Sequence, residues 1–163
     1  MFKGRFDQKL DEKGRLSLPN SFRGQDSKDT QLVRQPLVIT NGFSKGFKYL
    51  DVYPAPKWKT LEQKISKLSS LKAEVQAFQR FYLSGGQPLD PDKNNRILIP
   101  MSLRNYAELG DEIILVGMGE KFEIWSHKMW KKFYDKVTEN FDETLAIIAQ
   151  LEDATLENIK SKK

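Results

Sequence analysis

The fold is decided by one stretch of sequence, Asp11-Glu-Lys-Gly-Arg15-Leu-Ser-Leu-Pro19-Asn-Ser21-Phe-Arg23, because the chain contains it twice. The second copy reads Asp92-Lys-Asn-Asn-Arg96-Ile-Leu-Ile-Pro100-Met-Ser102-Leu-Arg104. The Asp, the Pro, the Ser and both Arg residues recur at one offset of 81 positions. Self-similarity of this kind indicates a duplicated structural unit.

The similarity continues beyond the motif at a different offset. Residues 50–53 (Leu-Asp-Val-Tyr) match residues 122–125 (Phe-Glu-Ile-Trp), and Trp58 matches Trp130, at an offset of 72. The nine-residue difference predicts an insertion in the first copy around residues 41–46. The boundaries that follow are a first half-domain with its helix at 1–80, a second at 81–151, and a charged C-terminal tail at 152–163.

Each copy of the motif predicts a tight turn followed by a short strand. Residues 15–18 alternate between polar and apolar, and residues 97–99 are all apolar after Arg96. A proline ends each run, because proline has no N–H to donate to the hydrogen bonds of a continuing strand. Period-two alternation places Leu16 and Leu18 inward, with Arg15 and Ser17 outward. Gly14 and Asn95 stand where a turn needs positive φ, which these two residue types adopt most easily.

The remaining patterns predict further strands and amphipathic helices. Strands are expected at 37–40, 49–53, 113–116 and 121–125. A three- and four-residue apolar spacing predicts a helix from Trp58 to Phe78, starting near Pro54 and interrupted at Ser69-Ser70. Ser126 is a candidate N-cap for the next helix, and a last helix frays near Lys160. The predicted class is therefore α+β and β-rich.

Composition excludes several classes of function. The chain has 163 residues, no cysteine and one histidine, His127, so thiol catalysis, disulfides and a cysteine or multi-histidine metal site lack material. No apolar run approaches the roughly 20 residues that cross a bilayer, and the N-terminus lacks the apolar stretch of a secretory signal. We expect a cytoplasmic protein that is not an enzyme and has no cofactor, metal or small-molecule substrate.

Charge is unevenly distributed along the chain. Residues 1–80 carry 16 basic and 8 acidic side chains, whereas residues 81–163 carry 11 and 14, so the net charges are +8 and −3. A polarised field of this kind attracts polyanions to the basic half. Solvated lysines with no ligand are the alternative interpretation.

The spacing of the Asp and the Arg has a physical logic. Four residues apart across a tight turn, the two side chains can form a charge-assisted pair that fixes the turn and aims the guanidinium. An arginine matches phosphates and the guanine edge bidentately, so two such turns on one surface suit nucleic acid. The alternative is a pair that only stabilises its own hairpin.

These features together resemble the MraZ family: an N-terminal Met-Phe-x-Gly, two Asp-x-x-x-Arg turns each followed by an apolar-x-apolar-Pro strand, and Trp-headed helices. The resemblance runs from Met1 to about Leu151. It implies two AbrB-like half-domains with a swapped-hairpin β-barrel and flanking helices, related by a pseudo-two-fold axis. It also implies a ring-shaped oligomer that binds double-stranded DNA at repeated sites upstream of the division and cell-wall gene cluster, including its own promoter. A nucleoid-associated location follows from that function.

The resemblance and the local charges select the site residues. The DNA-binding candidates are Arg15, Lys13, Lys3, Arg5, Lys9 and Arg96. The turn-fixing candidates are Asp11, Gly14, Asp92 and Asn95. The second copy departs from the family pattern, since Asn95 stands where a glycine is common. The alternative function is an antitoxin-like or structural oligomerisation module that binds a protein partner.

Overall fold

The computed structural model describes residues 1–22 and 36–161, so Arg23 of the first motif lies outside the described residues. The strands are β1 (Arg5–Lys9), β2 (Arg15–Ser17), β3 (Leu37–Ser44), β4 (Phe47–Pro54), β5 (Gln87–Leu89), β6 (Arg96–Leu98), β7 (Glu112–Gly117) and β8 (Phe122–Ser126). The helices are α1 (Ala55–Ser66), α2 (Ala73–Phe78), α3 (Met101–Tyr106), α4 (His127–Glu139) and α5 (Phe141–Lys160). The predicted α+β, β-rich class is confirmed.

Helix boundaries follow the local chemistry of the sequence. Helix α1 begins directly after its N-cap residue, Pro54, and carries Pro56 in its first turn, where a missing N–H breaks no intrahelical hydrogen bond. It ends at Ser66, and α2 begins at Ala73, so the predicted break at Ser69-Ser70 is confirmed. Ser126 caps α4, because its Oγ accepts the backbone N–H of Met129 at 3.0 Å. Within the described residues, none of these helices is both long and apolar enough to span a membrane.

The strands in the described parts of the chain all pair antiparallel, in two sheets that both copies share. The larger sheet has the order β1-β7-β8-β4-β3-β5, and the smaller consists of β2 and β6. Strand β1 of the first copy pairs with β7 of the second, while β5 of the second copy pairs with β3 of the first. The two copies therefore exchange strands within one compact unit, Met1–Trp130; Lys131–Lys163 is a separate unit.

The strand register shows a pseudo-two-fold relation between the copies. Leu16 lies opposite Ile97 in the small sheet, and these two residues are equivalent in the duplicated motif. Asp51 lies opposite Glu123 in the large sheet, and they are likewise equivalent. A residue that pairs with its own counterpart marks a two-fold axis, as at an isologous dimer interface.

The register corrects the predicted insertion. Ile39 pairs with Val52 and Leu115 pairs with Ile124, so Ile39 is the equivalent of Leu115. By this equivalence the first copy gains five residues before β3 and four in the hairpin that follows, so a single nine-residue insertion near 41–46 is wrong. Most of that segment continues β3, and Lys45 and Gly46 form the turn with φ of 48° and 88°.

The apolar core draws on both copies. Fully buried side chains come from the small sheet and from the inner face of the large one: Leu16, Ile39, Leu50, Val52, Ile97, Ile99, Ile113, Leu115, Phe122 and Ile124. As alternation predicts, Leu16 and Leu18 are buried while Ser17 is exposed. The small sheet is thus anchored by one face, and its other face is left to solvent.

A buried polar cluster sits where β4 meets β8. Lys121 Nζ donates to Asp51 and lies 3.2 Å from Glu123 Oε1, and Asp51 and Glu123 are both buried. Tyr82 donates its hydroxyl to Asp51 Oδ2 at 2.5 Å. Burial raises the pKa of Glu123. Burial lowers the pKa of Lys121, but the neighbouring carboxylates of Asp51 and Glu123 act in the opposite direction, and the net effect is a raised pKa.

Candidate nucleic-acid interface

The first arginine loop, residues 11–15, is a tight turn closed by one carboxylate. The backbone N–H groups of Lys13 and Arg15 both donate to Asp11 Oδ1 at 2.9 Å. Arg15 Nε donates to the second oxygen, Asp11 Oδ2, at 2.6 Å. One aspartate therefore holds both the turn and the direction of the arginine side chain.

The second arginine loop, residues 92–96, repeats this geometry. Asp92 Oδ1 accepts the backbone N–H groups of Asn94 at 2.8 Å and Arg96 at 2.9 Å. Arg96 Nε donates to Asp92 Oδ2 at 2.9 Å, and Arg96 Nη2 lies 2.9 Å from the same oxygen. The structure thus brings together each Asp and Arg that the motif pairs in sequence.

Both loop aspartates are held in the charged form. The backbone N–H of Arg15 is the main cause that lowers the pKa of Asp11, and the Arg15 side chain adds to it. Arg96 lowers the pKa of Asp92 in the same order of causes. Hydrogen bonds to the ionised carboxylate favour that state, so the pairs stay intact well below neutral pH.

The pairing of β2 with β6 brings the two arginines to one surface. Arg15 lies opposite Leu98, and Arg96 lies opposite Ser17. Residues two positions apart on a strand lie on the same face of the sheet, and residues directly opposite each other on paired strands also share a face. The outer face of the small sheet is therefore formed by Arg15, Ser17, Arg96 and Leu98. Their burial agrees, since Leu16 and Ile97 beneath them are fully buried while Leu98 is 55% exposed. We call this outer face the arginine face.

The two loops differ at the residue before the arginine. Gly14 has a φ of +79° and Asn95 a φ of +56°, so each supplies the positive φ that the turn requires. A Cβ built on Gly14 would overlap the Arg104 guanidinium, which therefore packs directly on the glycine. Asn95 is buried, and its Nδ2 has no hydrogen-bond partner within the described residues.

Arg104, the last residue of the second motif, contacts the first loop, although its place after Pro100 predicts only a role in bracing the fold. It lies on α3 in the second copy and reaches the first loop only because the copies exchange strands. Its Nε is buried without a hydrogen-bond partner in the described parts of the chain. Spacing along the sequence carries no sign of this contact, because 90 positions separate Arg104 from Gly14.

One of the other predicted cations lies in the first arginine loop, and the rest lie on or beside a strand of the other sheet. Lys13 is exposed within the first loop itself. Lys3, Arg5 and Lys9 lie on or beside β1, an edge strand of the large sheet, and are exposed. The Arg5 guanidinium lies 5.5 Å from the centre of the Trp130 ring.

An acidic groove surrounds Lys9. Lys9 lies opposite Glu112 in the β1–β7 register. The charged residues that line the groove, which is about 910 Å³ in volume, are two lysines and five carboxylates: Lys9, Lys128, Asp11, Glu12, Glu108, Asp111 and Glu112. Its carboxylates repel phosphate, so Lys9 is the least suited of the predicted cations to contact nucleic acid.

The sequence is similar to a known protein family and to several named proteins. The family profile described as "MraZ protein, putative antitoxin-like" matches twice, over residues 1–81 and 82–150. A protein of Pediococcus pentosaceus named transcriptional regulator MraZ is 39% identical over 143 residues, covering 88% of this chain and 93% of its own length. Proteins with the same name from Heliobacterium modesticaldum and Halothermothrix orenii are 36% and 35% identical, covering 88% and 93% of this chain and 93% and 99% of their own lengths.

Proposed function

The chain belongs to the MraZ family, and we propose on that premise that it is a sequence-specific DNA-binding transcriptional regulator. The names of its relatives support regulation of transcription, and they indicate no enzyme. The observation that carries the proposal is the arginine face. Two guanidinium groups, each oriented by its own carboxylate, lie on one solvent-facing surface above a buried apolar layer.

The arginine face suits DNA for electrostatic and geometric reasons. Arg15 and Arg96 have side chains about one-third exposed, and each bonds its aspartate through Nε. The Arg15 guanidinium, held at Nε, presents a planar fork that matches phosphate oxygens or the guanine edge. Arg96 also places Nη2 on Asp92, so it offers only its remaining N–H groups. Because the fork is oriented before binding, less conformational entropy is lost when DNA binds.

The roles within this function differ among the residues. Arg15 makes the principal contact, Arg96 the corresponding contact of the second loop, and Lys13 a phosphate contact beside Arg15. Lys3, Arg5 and Lys9 position the backbone of the duplex, with Lys9 the weakest for the reason given above. Asp11, Gly14, Asp92 and Asn95 fix the turns.

The finer function is also proposed on the family premise. The chain acts as a ring-like oligomer in the cytoplasm and nucleoid, on repeated sites upstream of the division and cell-wall gene cluster, its own promoter included. Strand exchange between the copies supports the swapped-hairpin barrel of AbrB-like half-domains, 1–80 and 81–151. Several weak contacts per subunit, multiplied over an oligomer, bind repeated sites through effective concentration.

A gel shift with DNA from upstream of the gene, against scrambled DNA of equal length, tests the function. Arg15→Ala is expected to weaken binding at least tenfold, because it removes an oriented guanidinium. Lys132→Ala, which removes an exposed charge from α4, is the control and is expected to bind as the wild type does. The logarithm of the wild-type association constant should fall with the logarithm of salt by about 0.9 per phosphate contact.

Two outcomes contradict the proposal. Equal binding to both DNAs removes sequence specificity. Loss of the far-ultraviolet circular dichroism of Arg15→Ala would show that the ion pair serves the hairpin alone. The antitoxin-like alternative, supported by the family description, predicts instead that a protein partner and not DNA is bound.

A further inference from the structure

Helix α5 exposes an apolar stripe along its whole length. It has 20 residues, about 30 Å, and each of its residues is exposed. Large apolar side chains on it are 48–59% exposed: Phe141, Leu145, Ile147, Ile148, Leu151, Leu156 and Ile159. A helix owes most of its stability to a packed apolar face, and a patch of this extent marks an interaction surface.

The polar side chains of α5 are acidic. The helix has one basic residue, Lys160, and five acidic ones: Asp142, Glu143, Glu152, Asp153 and Glu157. By helical periodicity Glu152 falls within the apolar stripe, between Ile148 and Ile159. The partner surface must therefore offer exposed apolar groups flanked by cations.

The same chain displays such a surface where α1 turns toward α2. Leu68 is 52% and Leu71 is 90% exposed in this turn. Lys64, Lys67 and Lys72 flank the two leucines and are exposed as well. We call these five residues the basic corner. Residues 55–72 carry five lysines and one acidic residue, so the sign is opposite to that of α5.

We propose that α5 of one copy docks on the basic corner of a second copy. Opposite charge selects the pairing, because two α5 helices packed on each other would bring together two segments that each carry an excess of four negative charges. The contact is heterologous, since one copy offers its helix and the next its corner. Such a contact repeats from copy to copy until a ring closes. The inference deepens the oligomeric part of the proposed function and rests on it.

Charge reversal in the full chain tests the contact, with mass measured by light scattering in the absence of DNA. The helix variant is Glu152→Lys, Asp153→Lys, Glu157→Lys, and the corner variant is Lys64→Glu, Lys67→Glu, Lys72→Glu. Each alone is expected to lower the mass from a multimer toward the 18.9 kDa chain. The two variants mixed together, and both sets combined in one chain, are expected to restore the multimer.

The control variant reverses Lys128 and Lys132 on α4 (Lys128→Glu, Lys132→Glu), which are exposed and outside both surfaces, and should keep the wild-type mass. A monomeric wild type, or a multimer insensitive to either reversal, overturns the proposal. Restoration by mixing without restoration in the combined chain would show α5 packing on α5, and it overturns the proposal too. Arg15→Ala should keep the multimer while losing DNA, so failure of assembly and failure of DNA binding are told apart.

Discussion

At the scale of the residue, Gly14 decides the shape of the first arginine loop. It combines a positive φ with a neighbouring guanidinium where a side chain would stand. Gly46 in the β3–β4 hairpin has a similar φ of +88° but nothing within 4 Å of a built Cβ. Comparison of Gly14 with Gly46 therefore separates the cost of a left-handed backbone, which both positions share, from the cost of crowding against Arg104, which only Gly14 has.

We expect Gly14→Ala to destabilise the protein more than Gly46→Ala does. Left-handed backbone costs each variant about 1–2 kcal/mol of unfolding free energy, and only Gly14→Ala must also displace Arg104. Urea unfolding of both variants measures the difference. Adding Arg104→Ala should remove the excess, because the crowded guanidinium is then gone. Equal losses in the two single variants would contradict the packing of Arg104 on the loop.

At the scale of the element, the junction of β4 and β8 contains two carboxylates and one ammonium group. Asp51 and Glu123 face each other across the pseudo-two-fold axis, and Lys121 contacts both. The Lys57–Glu120 pair, with Nζ and Oε1 2.6 Å apart, is instead exposed on both sides. Because the carboxylates around Lys121 are buried and the Lys57–Glu120 pair is exposed, the two sites contribute differently to the free energy of unfolding.

Lys121→Met is expected to cost about 3–5 kcal/mol of unfolding free energy, because it leaves buried carboxylates without their cation. Lys57→Met should cost at most about 1 kcal/mol, since exposed pairs contribute little. Thermal or urea unfolding at neutral pH compares them. Because the raised pKa of Glu123 lets it take up a proton as pH falls, the deficit of Lys121→Met should shrink in acid. Similar losses for the two variants would refute the cluster's role.

At the scale of the whole molecule, each copy completes the sheets of the other. Strands β1, β2, β3 and β4 all pair with strands of the second copy, β7, β6, β5 and β8. Without the second copy, the strands of the first copy would lack these partners. The first copy does contain strands equivalent to the absent ones, so a second molecule of the first copy could supply them.

Residues 1–84 expressed alone are therefore expected to form a dimer in which two first copies exchange strands. Leu16 would then pair with Leu16, as it now pairs with Ile97. Sedimentation with circular dichroism checks this, and adding residues 85–163 should convert the dimer to a complex of the two pieces. A folded monomer of 1–84 would show that the copies do not depend on exchange.

The sequence by itself determined the turns, the strand and helix types and the Asp–Arg pairing, because these depend on residues within a few positions of one another. It also determined the duplication, because the same residue types recur in the same order at a fixed offset. The sequence could not place the extra residues of the first copy, because the apolar pattern of β3 fits the second copy in more than one alignment. The strand pairing selects one of these alignments. Only the tertiary structure decided that β2 lies against β6, that Arg15 and Arg96 share a face, that Arg104 packs on Gly14 and that Lys9 lies among carboxylates. Those relations arise from contacts between the copies, and side chains that meet across a sheet leave no periodic trace along the chain.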